Sequence, residues 1–233
     1  MLGRISISRE APRPIRALRE PILDMPFLLV RLPEPCRPRH VRKAARLLVK
    51  GGVKKVLVPA EFPFWPLLER WRLAPVEPGE FCRAAAAPLA LAALKGDGLD
   101  PAAATVVLRG DRVTRSMRMS ALALCPQVRN VLISAPVGGA GLQAELRREY
   151  GVPALEERAG RRADLAIHFA PAAGEGKRVL DLSGPWPELP SFSCSLAGRA
   201  LPEEADRLPL LAALWENGRI GPEEVTVFNN IDT

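Results

Sequence analysis

Residues 105–134 read TVVLRGDRVTRSMRMSALALCPQVRNVLIS, and this stretch decides the fold. Its two ends, 105–108 and 130–134, are short runs rich in β-branched residues, which is typical of strands. Between them, over 115–125, apolar residues recur at helical spacing. A strand, a helix and a second strand in this order predict a βαβ unit, whose two strands are parallel.

The same alternation extends in both directions along the chain. We predict further strands at 27–32, 55–59, 164–169 and 178–182, and a short apolar piece at 225–228. Helical spacing predicts helices over 38–50, 64–71, 142–150 and 208–215, and a buried helix over 81–94 that is kinked or divided at Pro88. The fold class that follows is α/β, with parallel-sheet βαβ units in two lobes.

Composition shifts and turn signals suggest where the lobes divide. Gly96-Asp97-Gly98 ends the predicted buried helix, and Asp100 before Pro101 is a candidate cap for a short helical turn. We therefore expect a basic N-terminal α/β lobe over 1–100 and a Rossmann-like lobe over 101–200. A C-terminal helical segment, 201–233, is expected to pack back on the lobes.

The overall composition is that of an ordinary globular protein. The 233 residues are 48% hydrophobic and 25% charged, which excludes a disordered or collagen-like chain. Residues 1–25 lack the apolar core of a signal peptide, and no apolar run approaches the length of a membrane span. We expect a cytoplasmic protein with no membrane partner.

The positive charge is concentrated near the N-terminus. The formal net charge is +7, yet residues 1–72 hold 16 Lys and Arg against 6 Asp and Glu, a local net charge of +10. The predicted helix 38–50 carries much of it on one face, at Arg39, Arg42, Lys43, Arg46 and Lys50. A solvated helix face is favoured over a nucleic-acid surface, because no recognition motif accompanies the charge.

The four cysteines are too far apart in sequence for a metal or redox motif. More than forty residues separate each of Cys36, Cys82, Cys125 and Cys194 from the next. Zinc sites and dithiol motifs need much shorter spacings. We expect buried thiols and no bound metal.

Residues 104–184 resemble the Rossmann-type domain of shikimate dehydrogenase and methylene-tetrahydrofolate dehydrogenase relatives. The resemblance lies in the order strand, turn, helix, strand, helix, followed by EYGVP at 149–153, ADLAIHFAP at 163–171 and KRVLDLSG at 177–184. It implies a smaller α/β domain before the Rossmann unit. It also implies that the last two segments are strands near the nicotinamide end of an NAD(P) site.

Two positions depart from that family's pattern. The first turn of the family is G-x-G-x-x-G, which lets backbone amides approach a pyrophosphate. Here residues 110–116 read GDRVTRS, with one glycine and an acid where phosphate would lie. The second strand ends in Ser134-Ala135-Pro136, without an acid for the ribose. A conventional NAD site is not expected, although NAD(P) stays a possible cofactor.

Candidate ligand-binding residues lie in two turns. Gly110, Arg112 and Arg115 follow the strand at 105–108, and the two arginines could grip a phosphorylated ligand together with Arg118. Gly138, Gly139 and Gly141 precede the helix at 142–150, where backbone amides could bind an anion. A flexible helix start is the alternative for the glycines, and it is favoured because short glycine clusters are common in loops.

A third constellation is Ser134, His168 and Asp181, on three predicted strands. Parallel strands could bring them together at one sheet edge as a nucleophile, a base and an orienting acid. Ser134 lacks the G-x-S-x-G surroundings of a nucleophile elbow, so a working triad is disfavoured.

These observations favour a Rossmann-like protein whose dinucleotide site has degenerated. It would bind a small anionic or phosphorylated ligand, or a protein partner, without hydride chemistry. The first alternative is an atypical NAD(P)-dependent oxidoreductase of the shikimate-dehydrogenase-like class. The second is nucleic-acid association through the basic N-terminal lobe, a partner that we consider unlikely from sequence. Whether the chain is an enzyme is left open, as are its catalytic residues and its oligomeric state.

Overall fold

The computed structural model describes residues 1–12, 14–151, 163–171, 177–189, 192–202 and 205–229. The chain forms two compact units. The first unit comprises residues 1–77 and 198–221, and the second comprises 78–197 and 222–233. Each unit has its own sheet.

The described elements alternate between strands and helices along most of the chain. In chain order they are β1 (Leu2–Ser8), β2 (Ala17–Ile22), β3 (Met25–Pro33), α1 (Pro38–Lys50), β4 (Lys55–Leu57), α2 (Trp65–Glu69), β5 (Ala74–Pro75), α3 (Gly79–Ala84), α4 (Ala86–Gly96), β6 (Thr105–Arg109), α5 (Arg115–Leu124), β7 (Asn130–Ser134), α6 (Gly139–Tyr150), β8 (Leu165–His168), β9 (Arg178–Asp181), β10 (Phe192–Leu196), α7 (Arg207–Glu216) and β11 (Val225–Asn229). This is a mixed α/β protein with parallel sheets, so the predicted fold class is confirmed.

The sheet of the first unit has the order β2-β3-β1-β4-β5. The neighbouring pairs β3–β1, β1–β4 and β4–β5 are parallel, and the edge strand β2 runs antiparallel to β3. The predicted strands at 27–32 and 55–59 are β3 and β4. Strands β1 and β2 were not predicted. The central strand β1 buries Arg4 and Ser6 among its apolar residues, so it lacks the continuous apolar run from which β3 was predicted.

Helix α1 covers one face of this sheet. Its buried residues Val41, Ala44, Ala45 and Leu48 contribute to a core with the sheet residues Ile5, Leu28, Val30 and Val56. A β-carbon at Gly3 of β1 would lie 2.8 Å from Val53 Cγ1 and 3.0 Å from Leu48 Cδ2, so the absence of a side chain there lets the helix pack closely.

The second unit contains the Rossmann-like sheet, whose order is β7-β6-β8-β9. All four strands are parallel. Helix α5 connects β6 to β7, and the chain then returns through α6 to the other side of β6, where β8 pairs. This order places a topological switch point between β6 and β8, and ligands of open α/β sheets bind at the carboxyl end of such a point.

The predicted buried helix over 81–94 is two helices, α3 and α4, and the division lies at Ala85 and not at Pro88. Pro88 occupies the third position of α4. Proline is tolerated in a first helical turn because the missing N–H would have no helical partner there. The cap predicted at Asp100 is confirmed, since its Oδ1 accepts from the Ala102 amide at 3.0 Å.

Two antiparallel strands complete the second unit. Strand β10 pairs with β11, and β11 packs against α4. The short apolar piece predicted at 225–228 is thus most of β11, whereas β10 was not predicted. A β-carbon at Gly96 of α4 would overlap the Asn229 side chain, which shows how closely β11 approaches α4.

The predicted domain limits after residues 100 and 200 stay a prediction. The first boundary between the compact units lies between residues 77 and 78. Helices α3 and α4 belong to the second unit because both contact α5 and α4 also contacts β8. Residues 198–221, which include α7, belong to the first unit, and those from 222 onward belong to the second. In the part of the chain that is described, no helix has the length and hydrophobicity needed to cross a bilayer.

Asp164 ties the amino ends of three strands together, and this predicts a pH dependence of stability. Its carboxylate accepts from the Thr105 amide at 2.9 Å and from Lys177 Nζ at 2.6 Å. Burial raises the pKa of Asp164, but the hydrogen bonds from Lys177 and Thr105 outweigh it and hold the pKa below its ordinary value. The unfolded chain therefore binds this proton first as the pH falls, and the stabilisation is lost from about pH 4 downward.

We expect Asp164→Asn to unfold more readily than the native chain at pH 7 in urea titrations. The difference in the free energy of unfolding should shrink as the pH is lowered through about 4 toward 2. A difference that is the same at pH 7 and at pH 2.5 would show that the charge of Asp164 does not stabilise the fold.

Candidate functional site

The carboxyl edge of the second unit's sheet carries a row of polar side chains. Parallel register pairs Arg109 of β6 with Ser134 of β7 on one side and with His168 of β8 on the other, and it pairs His168 with Asp181 of β9. Across the sheet the order is therefore Ser134, Arg109, His168, Asp181. Residues paired in a parallel ladder have their side chains on the same face of the sheet. These four side chains therefore project from one face, each at the carboxyl end of its strand.

Arg109 and His168 lie at the switch point itself. Both are buried, with 4% and 6% of their surface exposed, and Arg109 Nη1 lies 3.5 Å from His168 Nε2. A guanidinium is always charged and cannot accept a hydrogen bond. The pair thus places a permanent positive charge, with limited access to water, at the edge where such sheets bind ligands.

Asp181 is a carboxylate at neutral pH. Burial raises its pKa, but hydrogen bonds from Ser183 and the nearby His168 outweigh that effect and lower the pKa below its ordinary value. The Ser183 amide donates to Asp181 Oδ1 at 3.0 Å. One end of the row is therefore negative, while its centre at Arg109 is positive.

Ser134 is not within reach of His168, so the triad of Ser134, His168 and Asp181 that the sequence disfavours is not formed. Strand β6 lies between β7 and β8, so two strand spacings separate Ser134 from His168. Each spacing is about 4.8 Å, which puts their backbones roughly 10 Å apart, too far for a serine hydroxyl to donate to the imidazole. His168 and Asp181 are paired in the register of β8 and β9.

The two predicted ligand-binding turns lie side by side. The loop after β6 and the loop after β7 are joined by hydrogen bonds from the Val113 amide to the Val137 carbonyl, at 2.9 Å, and from the Val137 amide to the Asp111 carbonyl, at 3.4 Å. Arg112 and Val137 form an isolated parallel bridge. The start of α6 is thereby held beside the loop that carries Arg112.

The three glycines before and within α6 have different roles. Gly138 has a φ of +85°, and a β-carbon there would lie 3.3 Å from Val113 Cβ, so both backbone conformation and space favour glycine. Gly139 is buried beside Ala135 and Ile133. Gly141 has nothing within 4 Å of its β-carbon position, so the first turn of α6 is open to a ligand on that side. The amides of a first helical turn have no intrahelical acceptor and favour an anion.

Gly110 is a packing glycine. A β-carbon there would lie 3.3 Å from Met117 Cε and 3.8 Å from Phe169 Cβ, so the loop passes close to α5 and to the end of β8. Thr114 caps α5, its hydroxyl oxygen accepting from the Met117 amide at 3.2 Å. The first turn of α5 is therefore already capped by its own chain, unlike that of α6, which begins at a glycine.

The arginines of this loop differ in availability. Arg112 and Arg115 are exposed, and the Arg112 side chain lies 3.9 Å from the Asp111 carboxylate. Arg118 is engaged by Glu145 of α6, with its Nε 3.0 Å from Glu145 Oε2 and a second contact through Nη2. This bidentate pair holds α5 against α6 and removes Arg118 from the candidate ligand-binding groups.

The residues present do not fit a dinucleotide in the manner of the resembling family. The Asp111 carboxylate is largely exposed in the turn where that family places a second glycine, and its charge would repel a pyrophosphate. The end of β7 carries Ser134-Ala135-Pro136, so no acid is available there for a ribose hydroxyl. The small residues that would admit phosphate lie in the next turn, at Gly138 and Gly141.

Sequence reasoning missed Arg109 as a site residue. Its signal was available, because a single arginine ends the apolar run TVVLR and directly precedes the turn glycine. Charged residues at the carboxyl ends of parallel strands lie where ligands bind. Its burial beside His168 required the strand order, which the sequence does not specify.

Neither metal nor thiol chemistry is supported among the described residues. No three His, Cys, Asp or Glu side chains there are placed to hold a metal ion. The expectation of buried thiols is confirmed for Cys82, Cys125 and Cys194, while Cys36 is partly exposed. Burial raises the pKa of Cys82 to about 12 and those of Cys125 and Cys194 to about 11, so these thiols are protonated and weakly nucleophilic at neutral pH.

The glycines of α6 predict opposite effects of the same substitution. Gly138→Ala should destabilise the protein by about 1–2 kcal/mol, because alanine is strained at positive φ. Gly141→Ala should stabilise it by about 0.5–1 kcal/mol, since alanine favours the helix and the position is open. Urea denaturation of both variants measures this, and equal effects would contradict the left-handed start of α6.

Comparisons with known proteins give little guidance. No family model matches the chain, and no curated protein matches it in sequence. Among solved structures, it is similar to L-tryptophan dehydrogenase from Nostoc punctiforme, with a TM-score of 0.28 and 10% sequence identity over 72% of this chain and 54% of that chain. The chain spans about half the length of that enzyme. A similarity of this size carries no argument about function.

Proposed function

We propose that the carboxyl edge of the second unit's sheet binds a small phosphorylated ligand without hydride transfer. The observation that carries this proposal is the hydrogen-bonded pairing of the two loops through Val113 and Val137. It holds the open first turn of α6 next to Arg112, so that backbone amides and a guanidinium belong to one site. Phosphate is the ligand chemistry that both groups favour.

The charges of the site support a single phosphate group more than a pyrophosphate. Arg112 and Arg115 are exposed and long enough to adapt to a ligand. Asp111, adjacent to Arg112, opposes the accumulation of further negative charge. The binding groups are therefore sufficient for one anionic group and poorly suited to two.

The alternative is an atypical NAD(P)-dependent oxidoreductase of the shikimate-dehydrogenase-like class. It rests on the sequence resemblance over 104–184. The absence of an acid after β7 and the exposed carboxylate of Asp111 both weigh against it. A protein partner in place of the small ligand is not favoured by any particular contact in the described residues.

Isothermal titration calorimetry of the full chain separates these functions. Inorganic phosphate, AMP, a sugar phosphate, NADH and NADPH would be titrated in turn. We expect saturable binding of the compounds with a single phosphate group, with the dinucleotides no tighter than AMP. Flat titrations throughout would remove the proposal, and selective binding of NADH or NADPH would favour the oxidoreductase.

A matched pair of substitutions at Gly141 tests the site within α6. Gly141→Asp and Gly141→Asn place side chains of nearly the same size at an open position of the first turn, and they differ by one negative charge. Either change is compatible with the helix, and an acid in this turn is favourable to it. We expect the Asp variant to bind AMP about tenfold more weakly than the Asn variant, a difference of about 1.4 kcal/mol.

Equal affinities of the two Gly141 variants would place the anion elsewhere. Thermal unfolding of both proteins provides the control, since the Asp variant should be at least as stable as the Asn variant. If the Asp variant lost affinity because it unfolds, it would not report on the site. Arg112→Gln, a substitution on an exposed loop, would then be titrated in its place, and an unchanged affinity would contradict the proposal.

A further inference from the structure

Helix α1 of the first unit presents a cationic face. The face comprises Arg39, Arg42, Lys43, Arg46 and Lys50, all of which are exposed. The opposite face, with Val41, Ala44, Ala45 and Leu48, is fully buried against the sheet. The position and orientation of the five cations are therefore set by the core of the unit, and they form a stripe about 17 Å long at 1.5 Å per residue.

This cationic face lacks acidic partners among the residues that the structure describes. The sequence contains no Asp or Glu between residues 35 and 60. Elsewhere in the unit, exposed arginines do pair with carboxylates, as Arg9 does with Glu34 at 3.0 Å and Arg31 with Glu20 at 3.5 Å. Within the described residues, none of the five cations of α1 has a carboxylate oxygen within 4.0 Å.

The arrangement opposes two rules of helix stability. Like charges three or four residues apart repel, and the face contains several such pairs, including Arg39 with Lys43 and Arg42 with Arg46. The first turn of α1 contains Arg39 and no acid, although the helix dipole favours negative charge there. A bound row of anions would relieve both effects. A face selected only for solubility would gain stability from interspersed acids.

We propose that this cationic face binds the phosphate backbone of double-stranded nucleic acid without sequence preference. A regular row of phosphates matches a row of cations on a rigid helix. Helix α1 contains no Phe, Tyr or Trp to stack on unpaired bases, and the Nδ1 of its His40 accepts from the Arg37 amide. Trp71, the aromatic neighbour of the face, is partly buried with the Arg46 guanidinium 6.0 Å from its ring centre. Backbone contact with a duplex is thus favoured over a single strand, which stacking would recognise.

This surface is independent of the phosphate site in the second unit. The sequence alone favoured a solvated helix face over a nucleic-acid surface. The structure changes that balance, because it shows which cations are exposed, that the apolar face is already buried and that no described carboxylate neutralises the stripe.

Fluorescence anisotropy of a labelled 20-base-pair duplex, titrated with the full chain between 50 and 200 mM salt, tests the proposal. We expect the logarithm of the binding constant to fall linearly with the logarithm of salt concentration. The variant Arg42→Gln/Lys43→Gln should make the slope shallower by about 1.8, since each phosphate contact contributes about 0.9. Thermal unfolding should show this variant to be no less stable than the native chain, because charge repulsion is reduced.

The matched control is Arg207→Gln/Arg219→Gln, which removes the same charge from exposed positions of the same unit. It should leave the slope nearly unchanged, since neither arginine belongs to the cationic face and the slope counts the phosphates that are contacted. If the two variants made the slope shallower by the same amount, net charge alone would account for binding, and the proposal would be overturned. It would also be overturned by tighter binding of the single strand, or by binding to phosphatidylserine vesicles with none to the duplex.

Discussion

The parallel register of β7, β6 and β8 is the constraint on which the candidate site depends. It brings Ser134, Arg109 and His168 to the same level at the carboxyl edge. The same register starts the two following loops side by side, and the hydrogen bond between Val113 and Val137 then joins them. A slip of one residue in either pairing would turn the side chains at this level to the opposite face of the sheet and separate the loops.

The site combines fixed and adaptable groups. The open first turn of α6 is held beside the loop after β6 by backbone hydrogen bonds and needs no rearrangement to present its amides. Arg112 and Arg115 are exposed and can close on a ligand from solvent. The bidentate contact between Arg118 and Glu145 links α5 to α6, so this arginine has a structural role. Binding at such a site requires little ordering of the backbone, which favours affinity.

Much of the fold could be predicted from local patterns of apolar residues in the sequence. Continuous apolar runs predicted β3, β6, β7 and β8, since a strand buried on both faces admits few polar residues. Strand β1 was missed because Arg4 and Ser6 interrupt its apolar residues, although it is central in its sheet. Strand β10, FSCSL, was missed because two serines interrupt its apolar residues in the same way. In addition, its pairing with β11 depends on residues far away in sequence.

The candidate site was predicted in part. The glycines at 138–141 and the turn at 110–116 could be found from composition, but their hydrogen-bonded contact depends on the strand order. The same order explains why Ser134 does not reach His168, and why Arg109, which sequence reasoning passed over, lies at the switch point. Local patterns thus identify the groups, and only the tertiary pairing decides which of them act together.

We propose that the start of α6 binds an anion next to the loop that carries Arg112. A titration of the 15N-labelled full chain with inorganic phosphate, followed through its amide resonances, measures this directly. We expect saturable shifts of the Gly139, Ala140 and Gly141 amides together with those of Asp111 and Arg112. Shifts confined to other regions, or none in α6 at saturating phosphate, would contradict it.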